Sequence, residues 1–283
     1  MREHRRLLDG QLDQLRKQRF RSVFHLHGVE EVESASVQIV RRECDRRTDR
    51  GPFDLIGDVH GCAAELRELL ERLGYSADGR HPDGRRVVFL GDLVDRGPAI
   101  PETLEIAMNL VCARGGIAVL GNHDAKLLRW FAGKNVKLVH GLEQSVEQLE
   151  GCSAADLHRY RLFLESLGVH YLLDGGRLVI AHGGLAQRFH GRTSGAVRAF
   201  CLFGDTTGET DEDGYPIRLD WGSEYRGEAA VVYGHTPTLE PAWVNNALCI
   251  DTGCVFGGSL TALRWPERTI VSVPAREIYC DHG

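Results

Sequence analysis

From Phe53 onward the chain alternates short, continuous apolar runs with stretches whose apolar residues recur every three or four positions. Short apolar runs bounded by glycine or polar residues mark buried strands. They predict strands at 53–57, 86–90, 117–120, 177–181, 229–233, 248–250, 260–264 and 270–273. The 3.6-residue periodicity predicts helices over 62–73, 101–114, 125–131 and 154–167. Such alternation defines an α/β layout with sheets sandwiched between helices. Residues 183–226 are Gly-rich and polar, and read as loops and a cap. Residues 1–50 are patterned differently. A basic, mildly amphipathic helix is expected over 2–21, with Leu7, Leu8, Leu12, Leu15 and Phe20 as its apolar positions. A strand at 22–26 and a second helical stretch follow. The break at Asp49-Arg50-Gly51-Pro52 separates a 1–50 appendage from a 51–283 catalytic domain.

Charge sharpens that division. Residues 1–50 hold 12 Lys+Arg against 9 Asp+Glu, a net of +3; the whole chain is -6, which leaves -9 for the remainder. An acidic catalytic part is compatible with divalent cations and argues against a nucleic-acid backbone bound along the whole surface, though not against an end bound in a cleft. The eight cysteines show no CxxC spacing and read as reduced thiols. The chain is charged from residue 2, without a signal-peptide apolar region, and no apolar run approaches the ~20 residues of a membrane span. A cytoplasmic protein without membrane attachment is expected.

The chemistry sits where strands end. Five apolar runs lead directly into polar clusters: Asp58-Val59-His60, Asp92-Leu93-Val94-Asp95-Arg96, Asn122-His123-Asp124, His182-Gly183-Gly184 and Gly234-His235-Thr236. Carboxyl ends of strands are where α/β sheets bind ligands. One Gly-Asp at a strand end is an ordinary turn, and one such histidine an ordinary imidazole; five in one chain are not. Asp58 and His60 alternate with Val59, so both can face one ion. Six ligands, Asp58, His60, Asp92, Asn122, His182 and His235, serve two divalent ions if Asp92 bridges. Asp58, His60 and Asp92 then hold one ion, and Asp92, Asn122, His182 and His235 the other. Oxygen and imidazole donors without thiolate suit manganese, iron or zinc. Two ions about 3.5–4 Å apart can clamp the phosphoryl group of an in-line displacement.

The segments GDVHG, GDLVDRG, GNHD, HGG and GHT resemble the calcineurin-like metallophosphoesterases. The branch is that of Ser/Thr protein phosphatases, lambda phosphatase and diadenosine tetraphosphatase, because the last motif carries one histidine. The resemblance implies a two-sheet β-sandwich flanked by helices. A closer resemblance spans nearly all of 51–283, through GPFDLIGDVHGC, VFLGDLVDRGP, HYLLDGG, VRAFCLFGDTTGETDEDGYPIR, VVYGHTP and IDTGCVFGGSLTALRWPE. These segments look like the phosphatase module of bacterial polynucleotide kinase-phosphatase. Residues 1–50 resemble the end of the kinase module that precedes it, but no phosphate-binding Gly-x-x-x-x-Gly-Lys-Ser/Thr loop is present, so kinase activity is not implied.

The basic N-terminal helix leads to the expectation that residues 1–50 dock on a separate subunit, a kinase or ligase. What the resemblance implies is removal of 3′- or 2′,3′-cyclic phosphates from RNA ends in RNA repair. On that reading Arg96 forks onto the phosphate oxygens and Asn122 both ligates and donates. His123, whose side chain diverges from its neighbour Asn122, protonates the leaving oxygen, and Asp95 orients it. Asp251 is a substrate-contact or turn residue. Arg192, Arg198 and Arg226 lie in the cap, as RNA-phosphate contacts or plain surface arginines, and His140, His170 and His190 read as structural. The same metal site would serve a Ser/Thr protein phosphatase or a diadenosine tetraphosphatase. A non-catalytic interaction module would show eroded ligands, and none is eroded.

Overall fold

Strand β1 (Phe53–Ile56) occupies the middle of one of two five-stranded sheets in the computed structural model, which describes residues 28–34, 43–210 and 216–281. The other strands of that sheet are β2 (Arg86–Phe89), β3 (Ile117–Ala118), β11 (Ser259–Trp265) and β12 (Thr269–Pro274), in the order β12-β11-β1-β2-β3. The second sheet joins β4 (His170–Leu173), β5 (Leu178–Ala181), β8 (Ala230–Tyr233), β9 (Trp243–Val244) and β10 (Ala247–Cys249), ordered β4-β5-β8-β10-β9. Strands β1, β2 and β3 run parallel, as do β5, β8 and β10; β11, β12, β4 and β9 pair antiparallel with their neighbours. A hairpin, β6 (Thr206–Thr210) with β7 (Pro216–Arg218), belongs to the cap.

Alternation of side chains across each strand builds the layers. Phe53, Leu55, Val88, Leu90, Leu178, Ile180, Val232 and Leu248 form one core between the sheets. Their neighbours Ile56, Val87 and Phe89 face outward, under helices α1 (Ala63–Leu73) and α2 (Ile100–Met108). Val179, Val231 and Ala247 face the opposite way, under α6 (Gly195–Phe203) and Trp221 of α7 (Trp221–Glu224). Burial on both faces explains why the central strands read as continuous apolar runs. The expected α/β two-sheet sandwich flanked by helices is the fold observed.

Several elements differ from the expectation. Helix α3 (Asn122–Phe131) starts three residues early, at the ligand itself, because Asp124 caps the Gly121 N–H. The helix after Ile100 continues as a π-turn, Asn109–Ala113. Helix α4 (Leu142–Glu150) was not expected, though Leu142, Val146 and Leu149 form its buried stripe; α5 (Ala154–Glu165) follows it. The 183–226 stretch holds α6, the hairpin and α7, so it is not loop alone. Strands β4 and β9 are short edge strands with little pattern to read.

Contacts divide the chain into Met1–Arg41 and Arg42–Gly283. Of the first unit only the helix Val29–Ser34 is described; the expected helix 2–21 and strand 22–26, with the subunit docking inferred from them, lie outside the described residues. Residues 43–50 lie along the β4 edge: Leu172 donates its N–H to the Cys44 carbonyl at 2.9 Å and Asp174 to that of Asp49 at 2.8 Å. No described helix is long and apolar enough to cross a membrane.

Candidate active site

Six parallel strands end at one rim, and each delivers a polar residue there. Asp58 and His60 follow β1, Asp92, Asp95 and Arg96 follow β2, Asn122 and His123 follow β3, and His182, His235 and Asp251 follow β5, β8 and β10. The backbone at this rim is bent into the left-handed region. His60 (φ 44°), Asp92 (48°), Asp95 (73°), Arg96 (71°) and His235 (73°) are five of the nine described non-glycine residues with positive φ. Each such conformation costs about 1–3 kcal/mol and persists only where the surroundings hold it. The concentration at one rim marks it as functional.

Hydrogen bonds assign the tautomers. His60 Nδ1 lies 2.8 Å from the Val94 carbonyl oxygen and so must donate, which leaves a lone pair on Nε2. His182 Nδ1 lies 2.9 Å from the Leu90 carbonyl oxygen and is fixed the same way. His182 Nε2 faces Asn122 Oδ1 at 2.8 Å, His235 Nδ1 at 3.1 Å and Asp92 Oδ2 at 3.3 Å. The same Asp92 oxygen is 3.6 Å from His60 Nε2, while Oδ1 accepts the His123 N–H at 3.0 Å. Asp92 thus stands between two groups of donors, as a bridging ligand should. Asp58 joins through Oδ2, which accepts the His235 N–H at 3.0 Å.

Electrostatics show what this arrangement lacks. Burial, with repulsion from Asp251, pushes the Asp58 carboxyl well up; burial also pushes Asp251 up to about 6 and Asp124, beside Asp92, up to about 7. Burial opposes charge on His182, but Asp92 and Asp58 outweigh it and push the imidazole up to about 10. Burial holds His60 and His235 neutral, well below the usual histidine range. Among the described residues, Asp58 Oδ1 and His235 Nε2 are buried with no hydrogen-bond partner. Converging lone pairs, crowded carboxylates and orphaned acceptors fit divalent cations. Two overlapping groups, His60–Asp92–His123 and Asp92–His182–His235, each place their ligand atoms within 4.8 Å of one another.

Beside these donors, His123 Nδ1 and Asp95 Oδ2 are 2.6 Å apart, both side chains buried. Ser145 locks the carboxylate: its hydroxyl donates to Asp95 Oδ1 at 2.6 Å and accepts the Asp95 N–H at 2.9 Å. Arg96 Nη1 donates to His60 Nε2 at 2.9 Å, and its guanidinium lies 5.1 Å from the Phe256 ring centroid. Asp251 Oδ1 accepts the Gly253 N–H at 3.0 Å, which is its turn role, at the rim of the same site.

Sequence reasoning missed Ser145 and Asp124. Asp124 accepts the Leu93 and Gly121 N–H groups at 3.0 and 2.9 Å, tying the second and third strand ends together. Its place three residues after Gly121 was a readable capping signal. Of the cap arginines, Arg226 donates to the Ser223 and Tyr225 carbonyls, and Arg192 and Arg198 are exposed.

Residues 51–252 match the calcineurin-like phosphoesterase family, and the chain belongs to it. It is a metallophosphoesterase, a metal-dependent phosphoric ester hydrolase. Among curated relatives it is 45% identical over 234 residues to bis(5′-nucleosyl)-tetraphosphatase PrpE [asymmetrical] of Anoxybacillus flavithermus, covering 80% of this chain and 96% of that one. The enzyme of the same name from Geobacillus thermodenitrificans is 47% identical over 230 residues, covering 79% and 94%. A solved structure described as a candidate diadenosine tetraphosphatase superposes with a TM-score of 0.60 at 29% identity, over 82% of this chain and 96% of that one. A yeast protein serine/threonine phosphatase shares the fold at 15% identity, with a TM-score of 0.54 over 84% of each chain. The likeness expected over 51–283 to the phosphatase module of bacterial polynucleotide kinase-phosphatase is not what these relatives bear out: they carry the name of a tetraphosphatase.

Proposed function

We propose that the chain is an asymmetrical bis(5′-nucleosyl)-tetraphosphatase, adding water across one outer phosphoanhydride to give a nucleoside triphosphate and a nucleoside monophosphate. The observation that carries this reading is the 45% identity to a relative of that name over 96% of the relative's length. Asp58, His60 and Asp92 would hold one cation, and Asp92, Asn122, His182 and His235 a second. Manganese is the proposed metal, and iron or zinc suit the same donors. Such ions, when bound, supply Lewis-acid polarisation of the phosphoryl oxygens and an activated water.

The side chains supply the rest. The Arg96 guanidinium forks onto the phosphate oxygens and stabilises the charge that builds in the transition state. Asp95 takes the Nδ1–H of His123, so the proton to be given to the leaving oxygen is held at Nε2. Ser145 keeps Asp95 from rotating away. The test is to identify the products made from diadenosine tetraphosphate with manganese. Equal ATP and AMP is expected; two ADP, or no turnover, would overturn the reading.

A second reading, hydrolysis of RNA 3′- or 2′,3′-cyclic phosphates, is favoured by the cap segment VRAFCLFGDTTGETDEDGYPIR. Phosphate release from matched RNA ends and a phosphopeptide, measured beside the dinucleotide, ranks the substrates. It prevails only if an RNA end is turned over faster than diadenosine tetraphosphate.

A further inference from the structure

The two glycines after His182 are explained by the cap. A Cβ on Gly183 would lie 2.4 Å from the Gly204 nitrogen, and Gly183 donates its N–H to the Cys201 carbonyl at 2.6 Å. A Cβ on Gly184 (φ 87°) would lie 2.0 Å from Cζ2 of Trp221. The C-terminus of α6 and the Trp221 ring are therefore seated directly on the loop that carries a metal-ligand candidate. This brings the Phe203 ring to 6.4 Å, centroid to centroid, from that of His235.

Between these parts lies a cavity of about 280 Å³, lined by Phe203, Arg218, Leu219, Trp221, Tyr233 and Thr236 among others. Small-molecule sites run from roughly 300 Å³ upward, so the space suits one base with its sugar rather than a whole dinucleotide. Trp221 and Tyr233 form its wall, ring centroids 5.0 Å apart. Phe203 and Leu219 are 45% and 49% exposed at its mouth, although both are large apolar side chains. Arg218 donates to the Thr236 hydroxyl, one residue from His235, and so sets a cation between the cavity and the metal-site rim. An aromatic wall, an exposed ring and a guanidinium leading to a phosphate-handling centre form a nucleotide site.

We infer that this cavity binds one nucleoside of the substrate, with Phe203 stacking on the base and Arg218 meeting the adjoining phosphate. The inference rests on the tetraphosphatase reading for the identity of the substrate, not for the existence of the pocket. A nucleoside could equally arrive on an RNA end, and the two sources are told apart by using both.

The test is inhibition and binding by AMP in the manganese-loaded protein. For Phe203→Ala, KM for diadenosine tetraphosphate and the AMP inhibition constant should both rise about tenfold. Its kcat and its inhibition by inorganic phosphate should stay near wild type, and Phe203→Tyr should retain wild-type affinity. Because Phe203 is half-exposed, its removal leaves the fold intact, which a melting curve checks. The same tenfold loss on a 3′-phosphorylated RNA, with none on the dinucleotide, would assign the pocket to RNA and overturn the dinucleotide source. Equal AMP affinity in wild type and Phe203→Ala, or AMP binding no tighter than phosphate, would overturn the pocket itself. If the dinucleotide is not cleaved, the proposed function falls, while calorimetric AMP affinities still decide the pocket.

Discussion

Arg96 Nη1 reaches His60 Nε2 at 2.9 Å, and the atom it reaches is the one a cation would take. Because Nδ1 is committed to Val94, His60 has a single lone pair to offer. An ion held by His60 would therefore displace Arg96 and leave the guanidinium available to the phosphate. Arg96→Ala should lower kcat by about 10²–10³ yet tighten metal binding. Kinetics and a metal titration on one preparation check this, and weaker metal binding would refute the competition.

The His123–Asp95 pair predicts a dependence on leaving group. Asp95→Asn should cost about 10²–10⁴ in kcat on a substrate that expels an alkoxide, such as glycerol 2-phosphate. It should cost far less on p-nitrophenyl phosphate or on a dinucleotide that expels a nucleotide. A uniform loss across the three would assign Asp95 a structural role instead.

Asp92 stands between both donor groups, so its loss should remove metal binding as a whole. Wild type should gain about 2.7 kcal/mol of stability at 100-fold excess of manganese over its Kd, and EDTA should reverse the gain. Asp92→Ala and His182→Ala should fold, show no turnover and lose most of that gain. A full metal-dependent shift in melting temperature in either variant would sink the ligand assignment.

His170 lies at the start of β4 with both ring nitrogens buried and unpartnered among the described residues. Burial, with His190 nearby, pushes it down to about 4 from 6.5. The unfolded chain takes the proton first, so stability is complete above about pH 6.5 and falls as the pH drops toward 4. The loss is at most about 3 kcal/mol. Denaturant midpoints of wild type against His170→Leu between those pH values should diverge, with the variant flatter; parallel curves would refute the assignment.

Gly184→Ala should unseat the cap. It collides with Trp221 and occupies a left-handed conformation. Lost activity with the first-sheet core intact, by near-UV spectra and hydrogen exchange, is expected; wild-type activity would show that the cap seat is not needed.

The candidate site was legible because its candidate ligands follow strands of local apolar sequence, and a parallel register brings all those ends to one rim. Asp58, His60, Asp92, Asn122, His182 and His235 could be read from five segments without knowing which strands pair. Of what supports them, Asp124 left a local capping signal and the rest left none. Ser145 meets Asp95 across 50 positions, from a helix whose stripe of Leu142, Val146 and Leu149 is interrupted by polar residues. Arg218 sits in a strand exposed along its length, where no alternation of burial imprints a pattern. Local periodicity records burial, and residues placed by long-range contact leave no such record.

The seat of α6 on the loop after His182 has a dynamic consequence. The cap rests on the loop that follows His182, so a displacement of α6 would carry that candidate ligand with it. If His182 holds an ion, product release and ion loss would then be coupled through one motion. Loosening the cap to speed turnover would shorten the lifetime of the loaded enzyme.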